Sequence, residues 1–163
     1  MPELQRLRPD HVPAVLAFEL ENRAYFAASV PDRGDDYFAE FDARLSALLA
    51  EQAAGICHFH VLMDGGAVVG RVNLVDVEDG AAELGYRIAE KAAGRGLATA
   101  AVRRICELAA TEYGLTELRA VTTLDNTGSR TVLTRTGFVP AGETVLEGRP
   151  GVRYTRALTD AVS

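Results

Sequence analysis

The chain has 163 residues, of which 48% are hydrophobic and 25% charged, with a formal net charge of −6. A chain of this size buries roughly 70% of its unfolded surface, so a single domain over residues 1–163 that needs no disulfide or metal is expected. No apolar run approaches the roughly 18 residues of a membrane span, and the acidic balance argues against nucleic acid and anionic membrane as partners, leaving a basic or amine-bearing partner easier to accommodate.

Met1 to Gln5 leads into a charged segment without the apolar stretch of a secretory signal, so a cytoplasmic location is expected. Leu4 to Arg8 alternates apolar and polar residues and reads as a first strand, stopped by Pro9-Asp10, which opens a helix running to about Glu21. A second helix is expected over Asp36 to Ala53. The 22–35 segment between them reads as a loop too long for a plain connection, and such loops are often functional. From Ile56 the apolar period becomes two. A strand runs to Met63, turns at Asp64-Gly65-Gly66, returns from Ala67 to about Val77, turns at Asp79-Gly80 and continues from Ala82 to Ala89. A helix after Gly96 places Leu97, Ala101, Ile105 and Leu108 on one stripe and ends near Tyr113-Gly114, before a strand from Leu118 to Leu124. Strand, helix and strand imply a parallel crossover, so the sheet is mixed. Asp125-Asn126 opens a last helix ending at Thr136-Gly137, and Phe138 to Val145 with Val152 to Leu158 read as a closing hairpin-like pair.

Glu83 to Thr99 is the most informative stretch, because a strand passes through Gly94-Arg95-Gly96 directly into an amphipathic helix. Glycines let the backbone approach a ligand, and the unpaired N–H groups at a helix start favour an anion, so this is a candidate phosphate cradle. A P-loop requires a Gly-Lys pair, and the sequence has none. The dinucleotide pattern is weak, because its third glycine position is Thr99 and no acid closes the next strand at the right interval, Asp125 lying 29 residues past Gly96.

Lys91-Ala-Ala-Gly94-Arg-Gly96 resembles the Gln/Arg-x-x-Gly-x-Gly/Ala signature of the GNAT (Gcn5-related N-acetyltransferase) superfamily. Glu83-Leu-Gly-Tyr-Arg-Ile88 looks like that family's preceding strand. Asn126-Thr-Gly-Ser129 through Arg135-Thr-Gly-Phe138 looks like its last-helix motif, and the combination resembles the RimJ/RimL-like branch. The resemblance implies an α/β (α+β) fold with a mixed, mostly antiparallel sheet of about six or seven strands and about four helices. It also implies an acetyl-CoA-dependent N-acetyltransferase that needs no metal, with acetyl-CoA in a cleft between two splayed parallel strands. The acceptor is then an amine on a protein N-terminus or a small molecule, with a noncatalytic acyl-CoA sensor as the reading from another class; a homodimer stays open.

Carried over by resemblance, the amides around Arg95, Gly96, Leu97 and Ala98, with Thr99 in the same turn, hold the pyrophosphate, and Lys91 and Arg95 add positive charge. The strand residues Tyr86, Arg87 and Ile88 contact the pantetheine arm through the backbone, one N–H near Arg87 or Ile88 meeting the thioester oxygen, which leaves side chains there free to vary. Glu83 is the candidate general base, or else a solvated strand carboxylate. Many superfamily members carry a tyrosine at the position of Leu133. Its absence makes Ser129 the candidate proton donor to the leaving thiolate, with Asn126 on the pantetheine; both also fit an ordinary helix start. His58 and His60 share a strand face that reads as plain polar surface rather than a metal site, and Cys57 and Cys106 read as free thiols, Cys106 in or near the core. Tyr25, Phe26, Tyr37 and Phe38, beside Asp32, Asp35 and Asp36, form either a receptor for a cationic or peptide amine or a satellite hydrophobic cluster.

Overall fold

A seven-stranded sheet in the order β1-β2-β3-β4-β5-β7-β6 organises the computed structural model, which describes residues 2–158. The chain divides into two units, residues 2–73 with 86–97 and residues 74–85 with 98–158; β3 and β4 pass from one to the other. No helix among the described residues is long and apolar enough to cross a membrane.

The first unit begins with β1 (Glu3–Arg6), paired antiparallel with β2 (His58–Asp64) from Glu3↔Met63 to Arg6↔His60. Between them come a 3-10 turn at Pro9–His11, α1 (Val12–Glu21), α2 (Arg23–Ala27), α3 (Asp35–Ala39) and α4 (Phe41–Ala53). Val15 and Phe18 of α1, Phe41 and Leu45 of α4 and Val61 of β2 are buried. Gln52, on the last turn of α4, donates to Leu7 O at 3.0 Å and accepts from Phe59 N at 2.9 Å. A buried amide thus satisfies backbone groups that would be costly to leave unpaired.

Three expectations change in this unit. The 22–35 segment contains α2, so it is not a plain loop. The helix expected over Asp36 to Ala53 is broken at Glu40, at φ −105 and ψ 21, although the sequence has neither glycine nor proline there. The break accompanies packing: Tyr37 and Phe41 flank it edge to face, 5.5 Å apart, and both are buried. His58 and His60 are also buried, which corrects their reading as polar surface.

β3 (Ala67–Glu78) and β4 (Ala81–Ile88) meet at Asp79-Gly80, whose φ values of 52 and 78 are those of a type I′ hairpin turn. In the second unit, β4 pairs parallel with β5 (Glu117–Thr123) through Ala81–Glu83 against Glu117–Arg119, three of its eight residues. The crossover is α5 (Leu97–Thr111), buried along Ala101, Val102, Ile105, Cys106 and Ala109, so the expected stripe is rotated and Leu97 and Leu108 sit at its half-buried border. After α6 (Thr127–Arg135), β6 (Val139–Leu146) and β7 (Arg149–Ala157) form a hairpin turned at Glu147-Gly148, and β7 lies between β5 and β6. Six α-helices are present among the described residues, two short ones beyond the expected number of about four.

All three histidines are shifted toward the neutral form. Burial is the first cause for each, and for His60, 2% exposed, burial and the nearby Arg6 charge lower the pKa to about 4. A histidine depressed in the native state costs nothing above its unfolded value near 6.5, and destabilises progressively as pH falls toward its folded value. Stability measured by denaturant titration should therefore fall between pH 6.5 and about 4, with His60 contributing on the order of 3 kcal/mol. His60→Gln has no proton to gain and should flatten the decline; an unchanged slope would contradict this.

Candidate active site

The glycine loop follows β4 and a 3-10 turn at Glu90–Ala92. Gly94 and Gly96 have φ values of 77 and 75, in the left-handed region that favours glycine. A Cβ built on either meets nothing within 4 Å, so open space lies before both residues. Immediately beyond, α5 starts at Leu97, and its first four N–H groups, those of Leu97, Ala98, Thr99 and Ala100, have no intrahelical acceptor. A left-handed turn facing open space and feeding a helix start fits a pyrophosphate. The dipole end adds roughly half an elementary charge.

Asn22 holds the approach to this loop. Its side chain, 3% exposed, donates to Phe18 O at 2.9 Å and accepts from Glu90 N at 2.9 Å, tying the end of α1 to the turn before the cradle. Lys91 adds less than expected, because its Nζ lies 3.5 Å from Glu21 Oε1 and that pair is about half exposed. Arg95 is exposed and has no ion pair among the described residues, so it supplies the charge beside the glycines.

Tyr86, Arg87 and Ile88 end β4, all half-buried. Arg87 and Ile88 also make specific side-chain contacts, beyond the backbone roles expected of them. Arg87 Nη1 donates to Glu19 Oε1 at 3.1 Å, and its guanidinium lies 4.4 Å from the centroid of Phe26. A Cβ on Gly70 would meet Ile88 Cδ1 at 2.8 Å and Arg87 O at 3.3 Å, so β3 carries a glycine where Ile88 crosses it.

Glu19 and Arg71 went unread in the sequence. Glu19 Oε2 accepts from Arg71 Nη1 at 2.9 Å, with the side chains 2% and 5% exposed, and Tyr37 Oη lies 3.5 Å from the same nitrogen. The available signal was a lone acid on the apolar face of α1 and a lone arginine in the apolar run Val68-Val-Gly-Arg-Val-Asn-Leu74. Charges at such positions are rarely buried unless paired. Glu19, Arg87 and Phe26 line a pocket with Arg23, Asp32, Arg33 and Phe38. Two of the three acids expected to receive a cationic amine are occupied: Arg23 donates to Asp32 and to Asp35, each at 2.8 Å, and holds Asp32 down at about 2.

In the second unit, Glu83 is half-buried on β4 opposite Arg119 of β5. Asn126 caps α6, its Oδ1 accepting from Ser129 N at 3.1 Å, so the helix-start reading of this pair is realised and brings the two residues together. Leu133 is 1% exposed and packed in the core. Cys106 is buried, which pushes its thiol up, and Cys57 is buried as well. Among the described residues, no group of three or more His, Cys, Asp or Glu side chains is placed to hold a metal ion.

A parallel strand that leads through a left-handed glycine turn to a helix start fits a phosphate-bearing cosubstrate. The family model described as acetyltransferase (GNAT) domain matches residues 3–139, and the chain belongs to this family. It is an acetyl-CoA-dependent N-acetyltransferase. The ribosomal-protein-S5-alanine acetyltransferase of Vibrio fischeri superposes with a TM-score of 0.92 at 19% identity, over 98% of this chain and 94% of that one. RimJ of Mycobacterium smegmatis, in complex with CoA-disulfide, gives 0.85 at 24% identity, over 94% and 80%. A chimera containing the Vibrio cholerae spermidine N-acetyltransferase SpeG gives 0.80 at 18%, over 96% and 95%. At these identities the likeness concerns the fold. No curated protein matches the chain.

Asn22→Ala removes both bonds that hold the turn before the cradle, a loss of about 1–3 kcal/mol. The KM for acetyl-CoA should rise several-fold while kcat at saturation changes little. An unchanged KM in a folded variant would mean that Asn22 does not position the loop.

Proposed function

We propose that the chain acetylates the free α-amine of a protein N-terminus, by direct attack of that amine on the thioester of acetyl-CoA. The observation that carries the acetyl-CoA side is the left-handed pair Gly94 and Gly96 facing open space at the start of α5. Direct attack is supported by the two cysteines, both buried, one with its thiol pushed further from ionisation. The N-terminal acceptor draws support from the RimJ/RimL-like motifs at Glu83–Ile88 and Asn126–Phe138 and from the likeness to an acetyltransferase of a ribosomal-protein alanine.

Each residue has a task. The amides of Arg95 to Ala98, with Thr99 in the same turn, bind the pyrophosphate, and the Arg95 side chain adds charge. The backbone of Tyr86 to Ile88 orients the pantetheine, and an N–H near Arg87 or Ile88 donates to the thioester oxygen as negative charge builds there, an effect worth about 3 kcal/mol in comparable sites. Glu83 takes the proton of the attacking amine; an α-amine with a pKa near 8 surrenders it more easily than a lysine. With Leu133 apolar, Ser129 supplies the proton or hydrogen bond to the departing thiolate, and the Asn126 side chain holds the pantetheine.

Two variants test these tasks through thiol release from acetyl-CoA. Glu83→Gln should lower kcat by about 100-fold or more with acetyl-CoA binding retained, and the loss should shrink at alkaline pH as unprotonated amine accumulates. Gly96→Glu, at a left-handed position and with a carboxylate facing the phosphates, should abolish acetyl-CoA binding in calorimetry. A peptide with a free N-terminus should be acetylated and the same peptide with a blocked N-terminus and an internal lysine should not. Acetylation of only the lysine, or of neither, would contradict the proposed acceptor.

A further inference from the structure

The pocket of the first unit holds more positive charge than its own carboxylates neutralise. Three guanidiniums, those of Arg23, Arg33 and Arg87, line it with the two carboxylates of Glu19 and Asp32. Both oxygens of Glu19 are taken, by Arg71 at 2.9 Å and Arg87 at 3.1 Å. Asp32 is taken by Arg23, which also holds the exposed Asp35 outside the lining. Counting Arg71 and Asp35 with the lining leaves the same excess of one cation. Arg33 has no carboxylate partner among the described residues; its guanidinium sits 4.9 Å from the centroid of Tyr37. Arg87 donates one of its N–H groups to Glu19 and lies over Phe26, with its side chain 21% exposed. Burial, together with the neighbouring charges of Arg33 and Arg71, holds it below the ordinary arginine value against the pull of Glu19. A guanidinium so crowded gains most from an added anion.

Two placements connect this charge to the acceptor. Arg87 belongs to the β4 segment whose backbone is assigned above to the thioester, so an anion on its side chain sits within one side chain's length of that backbone. Asn73 follows Arg71 by two residues on β3 and therefore shares its face. Its Oδ1 is buried with no hydrogen-bond partner among the described residues. A buried acceptor oxygen in that state calls for an N–H donor, and an amine or a peptide N–H supplies one.

We infer that this pocket binds a carboxylate carried next to the acceptor amine, so that the preferred substrate is an N-terminus followed by aspartate or glutamate. This rests on the N-terminal reading above. Arg87 and Arg23 lie over the Phe26 and Phe38 rings, each 4.4 Å from the centroid, so the arginines face the substrate and neutralise its second residue.

The test uses the full chain with saturating acetyl-CoA and matched short peptides, Ser-Glu and Ser-Asp against Ser-Gln and Ser-Asn, with free glutamate and spermidine beside them. The acidic peptides should be acetylated with a kcat/KM about tenfold above their amide partners. Arg33→Gln should bring that ratio toward one while acetyl-CoA binding and Tm stay as in the parent. The product-like N-acetyl-Ser-Glu should raise Tm more than N-acetyl-Ser-Gln, which reads the anion site without turnover. Equal turnover of acidic and amide peptides with equal Tm shifts, or a preference for spermidine, overturns the inference; equal turnover of the peptides leaves N-terminal transfer standing. Preference for free glutamate over every acidic peptide keeps the anion site, assigns it to a small acceptor and ends the N-terminal reading.

Discussion

Two guanidiniums share one buried carboxylate in the first unit, and much of that unit is arranged around it. Glu19 comes from α1, Arg71 from β3 and Arg87 from β4, separated from Glu19 by 52 and 68 residues in sequence. Moving such groups out of water is expensive, and their attraction offsets the cost only when the remaining donors and acceptors find partners. Here Tyr37 lies beside Arg71 and Phe26 stacks under Arg87. Removing one member of a buried cluster costs about 3–5 kcal/mol, chiefly because charge is left uncompensated. The cluster therefore fixes α1 against the strands, and with α1 comes Asn22, which holds the turn leading to the glycine loop.

The same arrangement joins binding to chemistry. In the proposed mechanism the end of β4 presents an N–H to the thioester oxygen, and such a backbone has to be held to within fractions of an ångström. β4 is held at Arg87 by an ion pair and at Ile88 by close packing over Gly70. The Arg87 side chain fixes its strand and also forms one wall of the pocket with the unbalanced charge.

Local rules made the glycine loop legible, because Gly94 and Gly96 are needed for left-handed dihedrals that other residues resist. The Asp79-Gly80 hairpin and the Asn126 cap were legible for the same reason. The break at Glu40, the helix inside the 22–35 segment and the burial of His58 and His60 follow from tertiary packing, which leaves no local mark. Glu19, Arg71 and Arg87 pair across distances that periodicity does not see. The net charge of −6 pointed toward a basic or amine-bearing partner, whereas the pocket beside Arg87 has an excess of cations. A sum over the surface says little about one cavity, where the field is set by the few groups that burial leaves unscreened.

In the proposed function the backbone from Gly94 to Ala98 and the end of β4 together hold acetyl-CoA. Titrating nitrogen-15-labelled protein with acetyl-CoA and following its amide resonances tests this directly. The account predicts the largest shifts at Gly94 to Ala98 and at Tyr86 to Ile88, with a further change at Asn126 and Ser129. Saturable binding that leaves the glycine-loop amides unmoved would contradict it.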